Sequence, residues 1–481
     1  MGHPLGLGPN TNTMNTGNEK KMGLWQVIAL AVGTMVGASI FSIFGLGARV
    51  AGHNLPLVFV LSGIVALLVA YSYAHLGSRI ISDAGPMEFI IKGIGDGLLT
   101  GALSFLFWLT YVISIALFAK GFAGYLLPFL NLHPSPLGMG LMEAGVVIVF
   151  MVLGILGSAT VGKAEFFIVL IKLGILGLFV VLGLRTLRLA WVTPSFSPAE
   201  LKGTLNATAI FFLSYMGFGL VTNASENMRN PQRNVPLAIY LSILIVTIVY
   251  VSVSMVAIGN LPLPRLIQAE DNALAEAARP FLGESGFLLV SIGALFSIAS
   301  ALNATLYGGA NVAYALARDG ELPKVFDRKL WFGSSEGLYI TAALGIAFAL
   351  LFNLNGIATI TSSVFMVIYL FVLTAHWRLR RQYGGNPAII AIGLIVVTAV
   401  FIVLSIYQWR TNPDSLFGTW AVLGGSLLLE WIYRTVTQRT FITREAGLLK
   451  KGEEIVEREV KGVITHLGKL KEFVTTQRTG K

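Results

Sequence analysis

The 481-residue chain contains no cysteine. That excludes disulfides and thiol chemistry and leaves the redox compartment open. Charge is scarce as well: 12% of residues are charged, about half the ~25% usual in soluble domains. The six histidines (His3, His53, His75, His133, His376 and His466) include no pair at metal-ligand spacing. No P-loop, HExxH or zinc ligand set is present, so no metal, cofactor or catalytic group is expected and the chain does not read as an enzyme. Gly333-Ser334-Ser335-Glu336-Gly337 matches G-x-S-x-G, but a nucleophile elbow needs a strand–turn–helix setting, and here the motif is a loop running into an apolar segment. His75 and Glu226, at helix ends, read as solvated or capping residues.

What the chain does have is apolar surface: 55% hydrophobic residues and a mean hydropathy of +0.75. Crossing a bilayer takes ~20 apolar residues, and hydropathy gives twelve such spans: 24–48, 55–77, 98–127, 138–158, 162–184, 204–228, 235–259, 282–316, 337–354, 357–376, 387–407 and 415–435. The expected class is an all-α integral membrane protein, with lipid as its solvent. Lys20 and Lys21 precede a first run too long for a signal-peptide core, so no cleavage is expected. A net charge of +10 could suggest nucleic acid, but most Lys and Arg lie in connecting segments and the C-terminal tail. With the N-terminus inside, inner loops carry twelve basic residues and outer loops seven, which favours cytoplasmic termini in the cell membrane.

The first span is interrupted at Gly33-Thr34-Met35-Val36-Gly37-Ala38-Ser39-Ile40-Phe41, where two glycines weaken the helix. The sixth repeats the device at Phe211-Phe212-Leu213-Ser214-Tyr215-Met216-Gly217-Phe218-Gly219. Unwound backbone at membrane depth survives only where protein or a watery cavity satisfies it. Glycine also eases ordinary helix packing in membranes. Yet interruptions at matching positions of two halves are the best sequence pointer to a carrier's binding site. Five spans from each break make two units of opposite orientation. The expected layout is a disordered N-terminus (1–21), a transporter domain (22–435) with a first repeat at 22–184, a second at 204–376 and two further helices at 387–435, and a basic amphipathic cytoplasmic tail (436–481).

In the first break, Gly37, Ala38 and Ser39 open a half-helix whose N–H groups suit a carboxylate. Carbonyls near Met35, Leu213, Ser214 and Met216 suit an ammonium. Backbone alone would then recognise an α-amino acid, with Tyr111, Ser114, Phe212, Ser300 and Asn303 as candidate walls. Lys172 lies about ten residues, roughly 15 Å, into the fifth span, too deep to snorkel. A charge so placed marks an ion or proton pathway by default; the alternative is a permanently charged structural lysine held by carbonyls.

Gly33…Gly37-Ala38-Ser39-Ile40-Phe41 resembles the G-x-G-I-F signature of amino acid–polyamine–organocation (APC) transporters, with Ser39 for the second glycine. Glu226…Asn230-Pro231…Arg233…Pro236 and Tyr314-Ala315…Arg318-Asp319-Gly320…Leu322-Pro323 resemble motifs that follow the sixth and eighth spans of that family. The likeness covers roughly residues 22–435. It implies a LeuT-type 5+5 inverted repeat with discontinuous helices 1 and 6, and amino-acid transport by alternating access. Val161-Gly162-Lys163-Ala164-Glu165-Phe166-Phe167 leading to Lys172, with Gly308-Gly309-Ala310-Asn311-Val312, is similar to the ApcT-type archaeal proton-coupled subgroup. That subgroup implies that Lys172 replaces a coupling sodium ion, bridging the Gly33 carbonyl and Ser297. Gly219 and Asn311 stand where relatives often have a carboxylate and an arginine. With no acid in the pocket, small neutral L-amino acids are the expected substrates. The expected activity is broad-range proton symport. The alternatives are an amino-acid exchanger without proton flow, a non-transporting sensor or a multispan acyltransferase.

Overall fold

The computed structural model describes residues 21–437 except 83, 131–134, 157–160, 319, 321 and 327–335. The N-terminal residues expected to be disordered, the amphipathic tail beyond 437 and the serines of the G-x-S-x-G loop lie outside the described residues. Among the described residues nine helices are long and apolar enough to cross a membrane. Three shorter apolar helices, Leu24–Met35, Phe167–Gly183 and Gly337–Leu351, stand where further spans were expected.

The chain starts with α1 (Leu24–Met35), α2 (Ala38–Phe41) and α3 (Phe44–Ala51), three pieces of one interrupted path. Gly52, at φ +58°, takes a left-handed turn that L side chains resist and lets the chain reverse into α4 (Leu55–Gly77). There follow α5 (Pro86–Ile94), the long α6 (Leu98–Phe129), α7 (Pro136–Leu156), α8 (Val161–Gly183) and the short α9 (Leu189–Val192). The second half opens with α10 (Pro198–Phe211), whose start is written in Ser197-Pro198-Ala199-Glu200. The Ser197 hydroxyl accepts from the Glu200 amide at 3.4 Å, and Pro198 occupies the first turn, where no amide partner is needed.

After α10 the chain tightens into a 3₁₀ stretch, Phe212–Gly219, and resumes as α11 (Leu220–Asn223). Helix α12 (Pro231–Asn260) then spans the molecule, and α13 (Leu263–Gln268), a 3₁₀ turn (Glu270–Asn272) and α14 (Ala273–Glu276) form a compact loop. The rest is α15 (Arg279–Arg318, kinked at Gly283), α16 (Glu336–Leu351), α17 (Leu354–Tyr383), α18 (Pro387–Thr411) and α19 (Pro413–Thr437).

Helices α1, α4, α6, α10, α12, α15 and α17 pack together around the two interruptions, with Val27, Ile40, Phe44, Phe59, Phe211 and Ile357 wholly buried. Outward faces of α8, α18 and α19 stay apolar and exposed, as at Leu170, Ile395 and Trp431, the surface expected toward lipid. On the face that carries the N-terminus, Met22 pairs with the loop after α11: its amide donates to the Asn227 carbonyl at 2.8 Å, and its carbonyl accepts from the Arg229 amide at 3.0 Å.

Candidate binding site at the helix breaks

Leaving the helix after Met35 diverts hydrogen bonds. The Val36 amide still donates to the Val32 carbonyl at 2.8 Å, but the Gly37 amide turns to the Met35 carbonyl at 2.9 Å and abandons that of Gly33. Side chains from three other helices meet the freed acceptors. The Lys172 ammonium of α8, only 1% exposed, donates to the Gly33 carbonyl. From α15, the Ser297 hydroxyl donates to the Val36 carbonyl at 2.7 Å. From α12, the Tyr250 hydroxyl donates to the Met35 carbonyl at 2.5 Å. Lys172 reaches this point because it shares its helix face with Val169, Leu176 and Phe179, all buried, while Phe167, Leu170 and Ile171 face outward.

The second interruption differs from the expected open break. Its residues keep helical order as a 3₁₀ stretch, so each amide finds a carbonyl three residues back and fewer acceptors are freed. The two interruptions nevertheless converge. Tyr250 Oη lies 2.5 Å from the Met35 carbonyl, 3.4 Å from that of Ser214 and 3.0 Å from Ser39 Oγ. One small donor can thus touch both interruptions at once. Among the described residues the buried Ser214 Oγ beside them has no hydrogen-bond partner, which leaves it able to meet a water or ligand.

A cavity opens from this point toward the N-terminal face, running past Gly219 and Leu220 to Asn223 and Pro86. Of the sequence-derived residues, Met35, Ser39, Tyr111, Ser114, Leu213 and Met216 line it. Gly37 sits behind the wall against Ala301 and Phe118, and the Phe212 ring packs edge-on against Tyr369 at 5.6 Å. Ala304 and Thr305 line the cavity from α15 rather than Ser300 and Asn303. Ala38 opens α2, so its amide heads the half-helix with that of Ser39.

Sequence reasoning missed the aromatic floor. Tyr73 of α4 and Tyr369 of α17 line the cavity, their rings 5.6 Å apart at 89°, and Phe218 stacks on Tyr369 at 5.7 Å. Tyr111 closes toward Asn223, whose amide nitrogen lies 3.4 Å from its hydroxyl. Among the described residues no charged side chain lines the cavity. The arrangement can hold a small zwitterion by its two ends and leave an apolar, aromatic space for its side chain.

Residues 22–422 match the family profile described as amino acid permease. The chain is 60% identical over 422 residues to "Uncharacterized protein MJ0609" of Methanocaldococcus jannaschii, covering 88% of this chain and 97% of that one. It is 33% identical over 429 residues to "Inner membrane transport protein YbaT" of Escherichia coli, covering 89% and 99%. To "Branched-chain amino acid permease BcaP" of Bacillus subtilis it is 25% identical over 453 residues, covering 86% and 93%.

Proposed function

This chain belongs to the amino acid permease family of the APC superfamily, multi-pass membrane proteins that transport amino acids and are not enzymes, and on that premise we propose that it is a proton-coupled symporter importing small neutral L-amino acids. The observation that carries the reading is Lys172: an ammonium 1% exposed, donating to a carbonyl that exists as a free acceptor only because α1 breaks. A buried ammonium costs several kcal/mol unless acceptors hold it, so its protonation is tied to the shape of the break.

The amides of Ala38 and Ser39 take the substrate carboxylate, and the carbonyls of Met35, Leu213, Ser214 and Met216 its ammonium. The uncharged cavity, with Tyr111 among its walls, supports a neutral side chain. Protonated Lys172 clamps α8 to α1 through Gly33, with Ser297 of α15 on the next freed carbonyl. Once the carrier has turned inward, losing the proton loosens that clamp and the substrate leaves. The frame is a LeuT-type inverted repeat of twelve spans (22–184 and 204–376, then 387–435) in the cell membrane, with both termini cytoplasmic. Its support is the paired interruptions and the loop charges.

Uptake of an amino-acid panel into proteoliposomes, with and without an inward proton gradient, tests this. The gradient is expected to drive accumulation of alanine-sized neutral substrates, and Lys172→Ala to keep binding but lose the gradient's effect. Unchanged pH-driven uptake in Lys172→Ala sinks the coupling role. Counterflow that needs internal substrate and ignores the gradient means an exchanger; binding without accumulation means a sensor.

A further inference from the structure

On the face opposite the N-terminus, the loop from Leu261 to Ala278 packs like a lid on α2 and α3, the two helices that follow the first break. It seats by backbone contact: a Cβ at Gly45 of α3 would stand 2.3 Å from the Glu270 carbonyl oxygen. Leu266, Ala273, Leu274 and Ala275 of the loop are wholly buried. Glu270 itself sits at φ +44°, a left-handed backbone unusual for a side-chain-bearing residue. Such a conformation persists only where surrounding contacts fix it. Arg49 of α3 bridges to Glu270 at 3.2 Å, both exposed.

The next residue, Asp271, points inward. Its side chain packs on α6, where a Cβ at Gly124 would lie 2.8 Å from its own Cβ and 2.9 Å from its Oδ2. Facing it are Lys120 and Tyr125 of α6 and Glu143 of α7, with Glu270 beside it. Lys120 already holds Glu143 at 2.9 Å, in a pair whose side chains are 17% and 3% exposed. An ionised Asp271 therefore brings a second carboxylate to one ammonium. The position is also connected: the Tyr125 hydroxyl donates to the Phe41 carbonyl at 2.9 Å, at the end of the short helix that Ser39 begins to turn.

We propose that Asp271 is a second proton-binding site, separate from Lys172, whose protonation holds the lid shut. Burial first, then the Glu270 charge, pushes its carboxyl up to about 6; Lys120 opposes this and Glu143 adds to it. With the lid lifted, water returns the carboxyl to ~4. The closed state thus binds the proton more tightly, so closure strengthens as pH falls from about 6 toward about 4 and weakens as it rises. Two pH units correspond to a closed-to-open ratio changed by about 10- to 100-fold. Because the proton enters from and returns to the compartment the lid faces, it is sensed rather than carried.

The inference rests on the transport reading only in requiring an open state of the lid. The cysteine-free chain allows clean labelling. Spin labels on Gln268→Cys in the loop and Leu137→Cys at the start of α7, both exposed, report lid distance in nanodiscs between pH 4.5 and 8. The short-distance population is expected to grow on acidification, with its midpoint between about 4 and about 6. Asp271→Asn should stay closed across the range, and Glu270→Gln should move the midpoint down. Lys172→Ala should keep the pH response whether or not it uncouples uptake. A lid insensitive to pH, an Asp271→Asn profile like the parent's, or a response lost in Lys172→Ala overturns the proposal. Should Asp271→Asn fail to fold, the exposed Glu270→Gln decides alone: an unmoved or raised midpoint is fatal.

Discussion

Between Met35 and Ala38 the chain leaves the helix altogether, whereas between Phe212 and Gly219 it only tightens from four-residue to three-residue hydrogen bonding. The opened stretch leaves carbonyls outside the regular helical ladder, and α8, α12 and α15 each send one polar side chain to meet them. The tightened stretch supplies most of its own partners and offers surface: Leu213, Met216, Gly217 and Gly219 line the cavity. Two glycine-bearing interruptions of similar composition thus differ in kind. One is a junction whose state depends on distant helices. The other is a wall that fits against it.

If that contrast holds, substitutions should divide by which role they touch. The largest loss is expected from Gly217→Ala, where the walls meet: its Cβ would stand 2.8 Å from Met35 Cγ, 3.0 Å from the Met35 amide and 3.1 Å from the Ala31 carbonyl. Overpacking of backbone against backbone costs up to about 3 kcal/mol, read as a fall in thermal stability and in substrate affinity together. Tyr250→Phe comes next. It removes one of three donors to the Met35 carbonyl, which keeps the Gly37 amide and the Ser39 hydroxyl, and with it the contact to Ser39 Oγ, worth about 1.5 kcal/mol and seen as weaker protection of α1 amides in hydrogen exchange. Ser297→Ala removes one neutral hydrogen bond to Val36, about 1 kcal/mol, measurable in chemical denaturation or melting. Gly219→Ala should be nearly silent, within about 0.5 kcal/mol, because its Cβ would meet only Tyr73 Cε1 at 3.6 Å. Equal losses at Gly217 and Gly219 would abolish the distinction between junction and wall.

Much of this was legible along the chain. Gly33, Gly37, Gly217 and Gly219 announce the interruptions because glycine pairs recur mid-span at matching positions of two halves, and Lys172 stands out as a charge in an apolar run. Tyr250 was not legible: a tyrosine among valines reads as packing, and its partner Met35 is 215 residues away. The same holds for Tyr73 and Tyr369, since aromatic spacing carries no information on which face meets a cavity. That the second interruption only tightens was beyond reach too, because glycine permits unwinding without requiring it. Nothing in the sequence singles out Asp271; only the fold brings Lys120, Glu143 and Gly124 around it.

The short bridge at the start of the described chain has a mechanical consequence. Two peptide hydrogen bonds tie Met22 to Asn227 and Arg229, so the root of the first helix and the far end of the sixth are yoked. With Gly217 seated against Ala31 and Met35 higher up, the pair is pinned at two heights. Neither helix can tilt alone, and whatever hinge serves this carrier must swing them as a single lever.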